Sequence, residues 1–451
     1  MKTIPLCSLE SLILLLILPF CNISAFLWCY TALPLHFLHV QWPLWQLSLL
    51  LMLIYIPRVL VQLITRCVGD WFCVPMSILA VVSNIVLYLH PSELAAISIA
   101  LSLTCSALNP TAYRGLIHHK FAPSGEWQVK RALRIYTFAD TLGYACAPFI
   151  GGLLYDNGGL KSCALFAILQ TGIGAILPLT LISWRASLSK LKCCTTNIDD
   201  HNHNDDHNHN GDHNHNHHGS SIEPKGVSLK QLRFPLAIVM IATFTNICTY
   251  AVEWCLYAIY FHLQYGWSGS WCGFAQMIGD LLGAGCLTVS TLTCISSSNS
   301  ELPRCLKALI KPPFSLCILS IAHGILMLML AQPHFAVALV GQIVMGTVYV
   351  FYEQSIQEML LLYSMGNPDL YRHLLSIHYL VFTAGCALCS PIAFGLYEAS
   401  GFASAFYATG SFSFVMGFGI AIYYVCRLRS TSMGIFGDLL TAEHELLMQN
   451  K

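Results

Sequence analysis

Glu253, Asp280 and Glu353 each stand inside a run of apolar residues long enough to hide them from water. A carboxyl shielded from water can take up and release a proton near neutral pH. These three are therefore candidates for proton coupling, with a purely structural hydrogen-bonding role as the alternative. Glu358 closes the same run as Glu353 and reads as an interfacial residue. Asn246, Tyr250, Glu253 and Tyr257 follow one another at spacings of four, three and four. Such spacing puts them on one face of a helix. A polar and aromatic stripe on an otherwise apolar helix suits a cavity that meets a small solute; the plainer alternative is a contact between helices. Arg58 and Arg114 also fall within apolar runs. They read as side chains reaching back to the nearer surface, with anion binding as the alternative. His323 and His378 read as hydrogen-bonded packing residues. Asn22 is a weaker cavity candidate, and its Asn22-Ile-Ser24 sequon lies inside a run, where no glycan is expected.

A second chemistry lies in a tract that repeats a six-residue unit three times between Asp200 and His218. Its histidines are His201, His203, His207, His209, His213, His215, His217 and His218. A segment of this composition cannot bury a core and is expected to be disordered. Neutral imidazoles bind zinc, copper and nickel, so a loosely bound divalent metal is one expectation, with Cys193 and Cys194 close by. A neutral expansion in a tolerant loop is the other. No further cofactor is expected.

The elements that must carry these residues are membrane spans. Hydrophobic residues make up 56% of the 451-residue chain and charged residues 10%. Soluble domains carry roughly a quarter charged residues, so this surface belongs in lipid. A span needs about 20 mostly apolar residues. Twelve segments qualify: Leu9–Cys29, Trp45–Ile64, Phe72–Leu89, Leu94–Leu116, Ile135–Tyr155, Ser162–Ser183, Pro235–Phe261, Trp271–Leu292, Phe314–Ala331, Ala336–Leu362, Leu374–Leu396 and Phe402–Val425. The first is too long for a signal-peptide core and is expected to be retained. Helices rather than strands are expected, because no polar–apolar alternation is visible. With the N-terminus in the cytoplasm, every Lys and Arg outside the spans falls on the inner side except Lys161. That bias is what cytoplasmic loops show, and it places both termini inside; it does not separate the plasma membrane from an organelle. The cysteines read as small apolar residues within spans.

The chain divides at its longest loop into 1–184, a linker of 185–233, 234–426 and a tail of 427–451. The two larger parts echo each other. A shift of 242 residues superposes Gly143 on Gly385, Ala145 on Ala387, Ile150 on Ile392, Tyr155 on Tyr397, Asp156 on Glu398 and Gly159 on Gly401. Paired six-span halves are a transporter architecture.

Gly143-x-x-x-Ala147-Pro148-x-x-Gly151-Gly152 resembles the fifth-span motif of the major facilitator superfamily, with Ala147 in place of its second Gly. Small residues four apart let helix backbones approach closely, and Pro148 bends the helix. Both suit a seam between halves that rock. The loop after the second span keeps only Asp70 of the family's acidic-basic signature, with Arg66 and Trp71 where Gly and Arg are expected. The family's fourth-span Arg has no mid-membrane counterpart; Arg114-Gly115 lies nearer the inner end. The resemblance implies an all-α membrane protein with 12 transmembrane helices in two pseudo-symmetric six-helix bundles. It also implies a secondary transporter working by alternating access, with lipid, a small-molecule substrate and protons as partners and a monomer as the unit. A metal-linked transporter or membrane metal sensor using the His-rich loop is the alternative. The net charge of zero argues against nucleic acid. No nucleophile elbow, zinc-protease helix or phosphate loop is present, so an enzyme is not expected.

Overall fold

The computed structural model describes residues 9–41, 43, 52, 55–56, 59, 73–91, 95–106, 109–121, 124–199, 229–296, 314–364 and 367–430. Within them the chain is helical throughout, with no strand. Most of the expected second span, with Arg58, lies outside the described residues, as do Asp70 and the His-rich tract.

The first segment runs as α1 (Leu9–Leu12), a π-helical turn (Ile13–Ile17) and α2 (Leu18–His39). Pro19 has no N–H for the preceding turn, and a widened turn sits just before it. Then follow α3 (Cys73–Leu89), α4 (Ala95–Ser106), α5 (Asn109–Phe121) and α6 (Glu126–Asp199). Next come α7 (Leu229–Tyr265), α8 (Gly269–Ser296), α9 (Phe314–Leu330), α10 (Phe335–Ser364), α11 (Pro368–Ser400) and α12 (Phe402–Ser430). The described parts of the expected fourth span, in α4 and α5, are helical. Expected spans five and six both belong to α6. Gly159 separates them with φ 62°, a left-handed conformation that only Gly adopts cheaply. The chain folds back there, so the Cys163 thiol reaches the Gly151 carbonyl at 3.5 Å. The linker expected over 185–233 is helical at its two ends: α6 continues to Asp199 and α7 begins at Leu229. No Pro or Gly interrupts residues 184–199, so nothing local stops the helix.

Five helical segments are long and apolar enough to cross a membrane: Arg131–Thr180, Pro235–Tyr265, Phe335–Ser364, Leu370–Ser400 and Phe402–Cys426. Shorter apolar helices cover Leu9–Ala25, Val74–Leu89 and Phe314–Leu330. The outward faces are apolar. On α6, Leu165, Leu169, Ile173 and Ile176 are exposed at helical spacing, while Cys163, Ala164, Ala167 and Thr171 are buried behind them. A helix that shows Leu and Ile outward and hides Thr is built for lipid.

The two echoing segments take the same local geometry. Gly143 packs against Ile23 of α2, and Gly385 packs against Ile247 of α7. Gly401 also has positive φ, 82°, like its counterpart Gly159. The motif glycines serve the approach expected of them. A Cβ at Gly151 would lie 2.6 Å from the Trp28 carbonyl oxygen, and one at Gly152 would strike the backbone of Gly269 in α8. Gly273 of α8 lies against the backbone of Pro148 and Phe149, and Ala147 is fully buried. So α6 presses α2 with one face and α8 with the other.

Candidate functional site

Two groups of buried polar side chains occupy the interior. The first is centred on Arg114 of α5, which is 1% exposed. Its guanidinium lies 3.7 Å from Asp140 of α6 and 3.9 Å from Glu353 of α10. It also hydrogen-bonds the Tyr379 hydroxyl of α11 and rests 4.9 Å from the centre of the Tyr136 ring. Tyr136 and Asp140 are one turn apart on α6, so both face Arg114. Glu353 and Gln357 are one turn apart on α10, and the Gln357 amide donates to Glu353 at 2.7 Å. Glu353 also meets His378 of α11, with Oε1 at 3.2 Å from Nε2. The cluster therefore ties α5 and α6 to α10 and α11. One turn beyond it, Arg134 of α6 pairs with Glu358 of α10 at 3.0 Å.

His378 is held on both sides. Its Nδ1 lies 3.2 Å from the Thr243 hydroxyl, which is also 2.9 Å from the Val239 carbonyl, and its Nε2 faces Glu353 Oε1. Charge counting bears on the cluster. Arg114 supplies one positive charge against the two carboxyls Asp140 and Glu353, so the cluster is neutral when it holds one further proton. Neutrality matters in a dry interior, where unpaired charge costs several kcal/mol.

The second group lies on α7, α8 and α10. Glu253, 2% exposed, accepts a hydrogen bond from the Gln342 amide of α10 at 2.5 Å. Asp280 of α8 is within electrostatic reach of Glu253, and its carboxylate packs against Gly346 of α10. Tyr250 stacks on Tyr349 of α10, with ring centres 4.0 Å apart and planes 7° from parallel. Tyr144 of α6 faces both Tyr349 and Trp254. Tyr257 donates to the Cys272 carbonyl of α8 at 2.9 Å. The helical stripe of Asn246, Tyr250, Glu253 and Tyr257 is wholly buried, and three of its members contact α8 or α10.

Several expectations change in this light. Arg114 does not reach for the surface; it is the centre of an ion cluster, because two carboxyls neutralise it in place. His378 is not a lone packing residue but a member of that cluster. His323 does pack, stacked on Tyr352 at 5.4 Å. Glu353 joins the Arg114 cluster, whereas Glu253 and Asp280 stay together apart from it. Glu358 is the Arg134 partner. Asn22 is buried. Asp140 escaped the sequence reading, although it is an acid in an apolar run just as Glu353 is. Gln342 and Gln357 carried no signal of their own. Cys386 and Cys389 have Cys-x-x-Cys spacing on α11, and the Cys389 sulfur lies 2.9 Å from that of Cys248 on α7. Among the described residues, no group of three His, Cys, Asp or Glu side chains is placed to hold a metal.

Near Lys161 the α6–α8 seam ends in a cap. Asp156 accepts from the Gly269 and Ser270 amides at 3.2 and 2.8 Å, and from the Ser270 hydroxyl at 2.6 Å. A carboxylate is favourable at a helix N-terminus. Beside it a cavity of about 850 Å³ is lined by residues that include His36, Tyr155, Lys161 and His262.

The family model described as Major Facilitator Superfamily matches residues 15–364. Among solved structures, the chain is similar to a POT family transporter in complex with a thioalcohol-conjugated peptide. The two share 12% identity and a TM-score of 0.61, over 92% of this chain and 96% of the other. It is also similar to a POT family transporter in complex with 5-aminolevulinic acid, at 13% identity and a TM-score of 0.60, over 93% and 98%. At such identity the likeness is one of fold. No curated protein matches the sequence.

Proposed function

Because the chain belongs to the Major Facilitator Superfamily, a family of membrane transporters, we propose that it moves a small solute by proton-coupled alternating access, with Glu353 and His378 as the proton site. In this reading twelve spans form two six-helix bundles, both termini are cytoplasmic, and a monomer is the working unit. The observation that carries the proton assignment is the Glu353–His378 contact at 3.2 Å, with Nδ1 held by Thr243. It sets an imidazole against a carboxyl at a point where α10 and α11 meet the Arg114–Asp140 pair. A proton gained or lost there changes the charge of the cluster by one. A change of that size alters how strongly α5 and α6 are held to α10 and α11. The solved structures of similar fold hold a conjugated peptide and 5-aminolevulinic acid, which supports a small organic solute as cargo.

The test is uptake of a panel of small solutes into proteoliposomes, with and without an imposed pH gradient. The expected result is uptake that responds to the gradient in the unaltered protein and ignores it in Glu353→Gln. Uptake indifferent to the gradient in both would remove the proton; no uptake of any solute would remove transport.

A metal-linked transporter or sensor is the second reading. The threefold His-rich unit of residues 200–218 favours it. Deleting that segment and measuring zinc tolerance and zinc uptake in the expressing cell tests it: unchanged values count against the metal.

A further inference from the structure

Glu253 and Asp280 form no ion pair among the described residues, and Asp280 has Glu253 within electrostatic reach. Arg114 is engaged elsewhere, with Asp140 and Glu353. The Glu253 Oε2 and Asp280 Oδ2 atoms are buried without a hydrogen-bond partner. A third group points into the same place. The Tyr250 hydroxyl is within reach of both carboxyls, belongs to a side chain 5% exposed, and is likewise without a partner. Polar atoms left unpaired in a dry interior are costly, and native proteins keep few of them unless they serve a purpose. Tyr250 also belongs to a ring cluster: it stacks on Tyr349 and meets Trp254, and Tyr144 faces both of these.

Two carboxyls without a counter-charge, beside the Tyr250 ring of a stacked aromatic cluster, favour a positively charged ligand. A cation gains Coulomb attraction from the acids and a further attraction from the ring quadrupoles. A neutral or anionic solute gains neither. We infer that Glu253, Asp280 and the Tyr250–Tyr349 stack form the substrate site, and that the substrate is an organic cation bearing an ammonium group. This rests on the reading of the chain as a transporter, and it specifies the cargo. The site lies on α7, α8 and α10, and Glu353 sits eleven residues after Gln342 on the same α10. Substrate and proton thus act on one helix.

The experiment is direct binding to the purified full-length protein in lipid nanodiscs, followed by calorimetry against empty nanodiscs. The probes are benzyltrimethylammonium, benzyl alcohol and benzenesulfonate, which share a ring and differ in charge. Benzyltrimethylammonium is expected to bind saturably, and the neutral and anionic probes at least about tenfold more weakly. Glu253→Gln and Asp280→Asn are each expected to weaken the cation by about tenfold or more. The inference is overturned by any of three results: no saturable binding of the cation, equal binding of the three probes, or full affinity in both variants. The probe series on the unaltered protein decides the matter even where a variant does not fold. Binding needs no gradient and no transport. A protein that binds the cation and moves no solute contradicts the transport reading alone; one that transports solute and rejects the cation contradicts this inference alone.

Discussion

The interior holds two acidic centres that differ in one respect. Around Glu353 the acids face a cation: Arg114 lies against two carboxyls, His378 faces Glu353, and Gln357 and Tyr379 add hydrogen bonds, while Arg114 Nε, Asp140 Oδ1 and Glu353 Oε2 stay without a hydrogen-bond partner. Around Glu253, the neutral amide of Gln342 is the one hydrogen-bonding partner, and the neighbouring acid repels. The first sets its acids against a cation, as the proposed proton site needs. The second has no counter-charge, as the proposed cation site needs. On that proposal the division separates the coupling group from the binding group.

The comparison can be broken most directly at Arg114. Arg114→Met leaves Asp140 and Glu353 facing each other without a cation. Removing one partner of a buried pair costs about 3–5 kcal/mol, so a large fall in melting temperature in detergent and loss of uptake are expected. Arg114→Lys is not expected to restore function, since an ammonium cannot reach both carboxyls as the fork does. Unchanged stability in Arg114→Met would mean that the cluster is not the compensated one.

Glu353→Gln and Glu253→Gln sharpen the contrast, because their effects on stability should have opposite signs. The first removes the acceptor for His378, and a loss of about 1–3 kcal/mol follows. The second removes a carboxyl that has no counter-charge and keeps an amide facing Gln342. It should leave stability unchanged or raise it by up to about 1 kcal/mol. Thermal unfolding of the two variants side by side checks the signs. Shifts of equal size in the same direction would abolish the distinction. Deleting residues 200–218 touches neither centre and comes last. Solute uptake is expected to stay the same, while zinc retained by the purified protein falls; lost uptake would tie the tract to the transport cycle.

Much of this was legible in the residues. Apolar runs found the helices, and the small residues from Gly143 to Gly152 found the surface where α6 meets α2 and α8. The stripe on α7 found one acidic centre, because helical periodicity is local. The other centre was only half visible. Glu353 stood out as an acid in an apolar run, but Arg114, Asp140 and His378 come from three other helices, and no spacing in the sequence brings them together. Each alone has an ordinary explanation, a surface-seeking Arg or a packing His, and only their meeting changes what they are.

Asp156 has a bearing on the manner in which the molecule gives way at the Lys161 end. Its two oxygens take three donors from the first residues of α8. Drawing α6 from α8 there must break all three, since a single carboxylate holds them. Each is worth about 1 kcal/mol, so separating α6 from α8 at this end carries a cost that sits on one side chain.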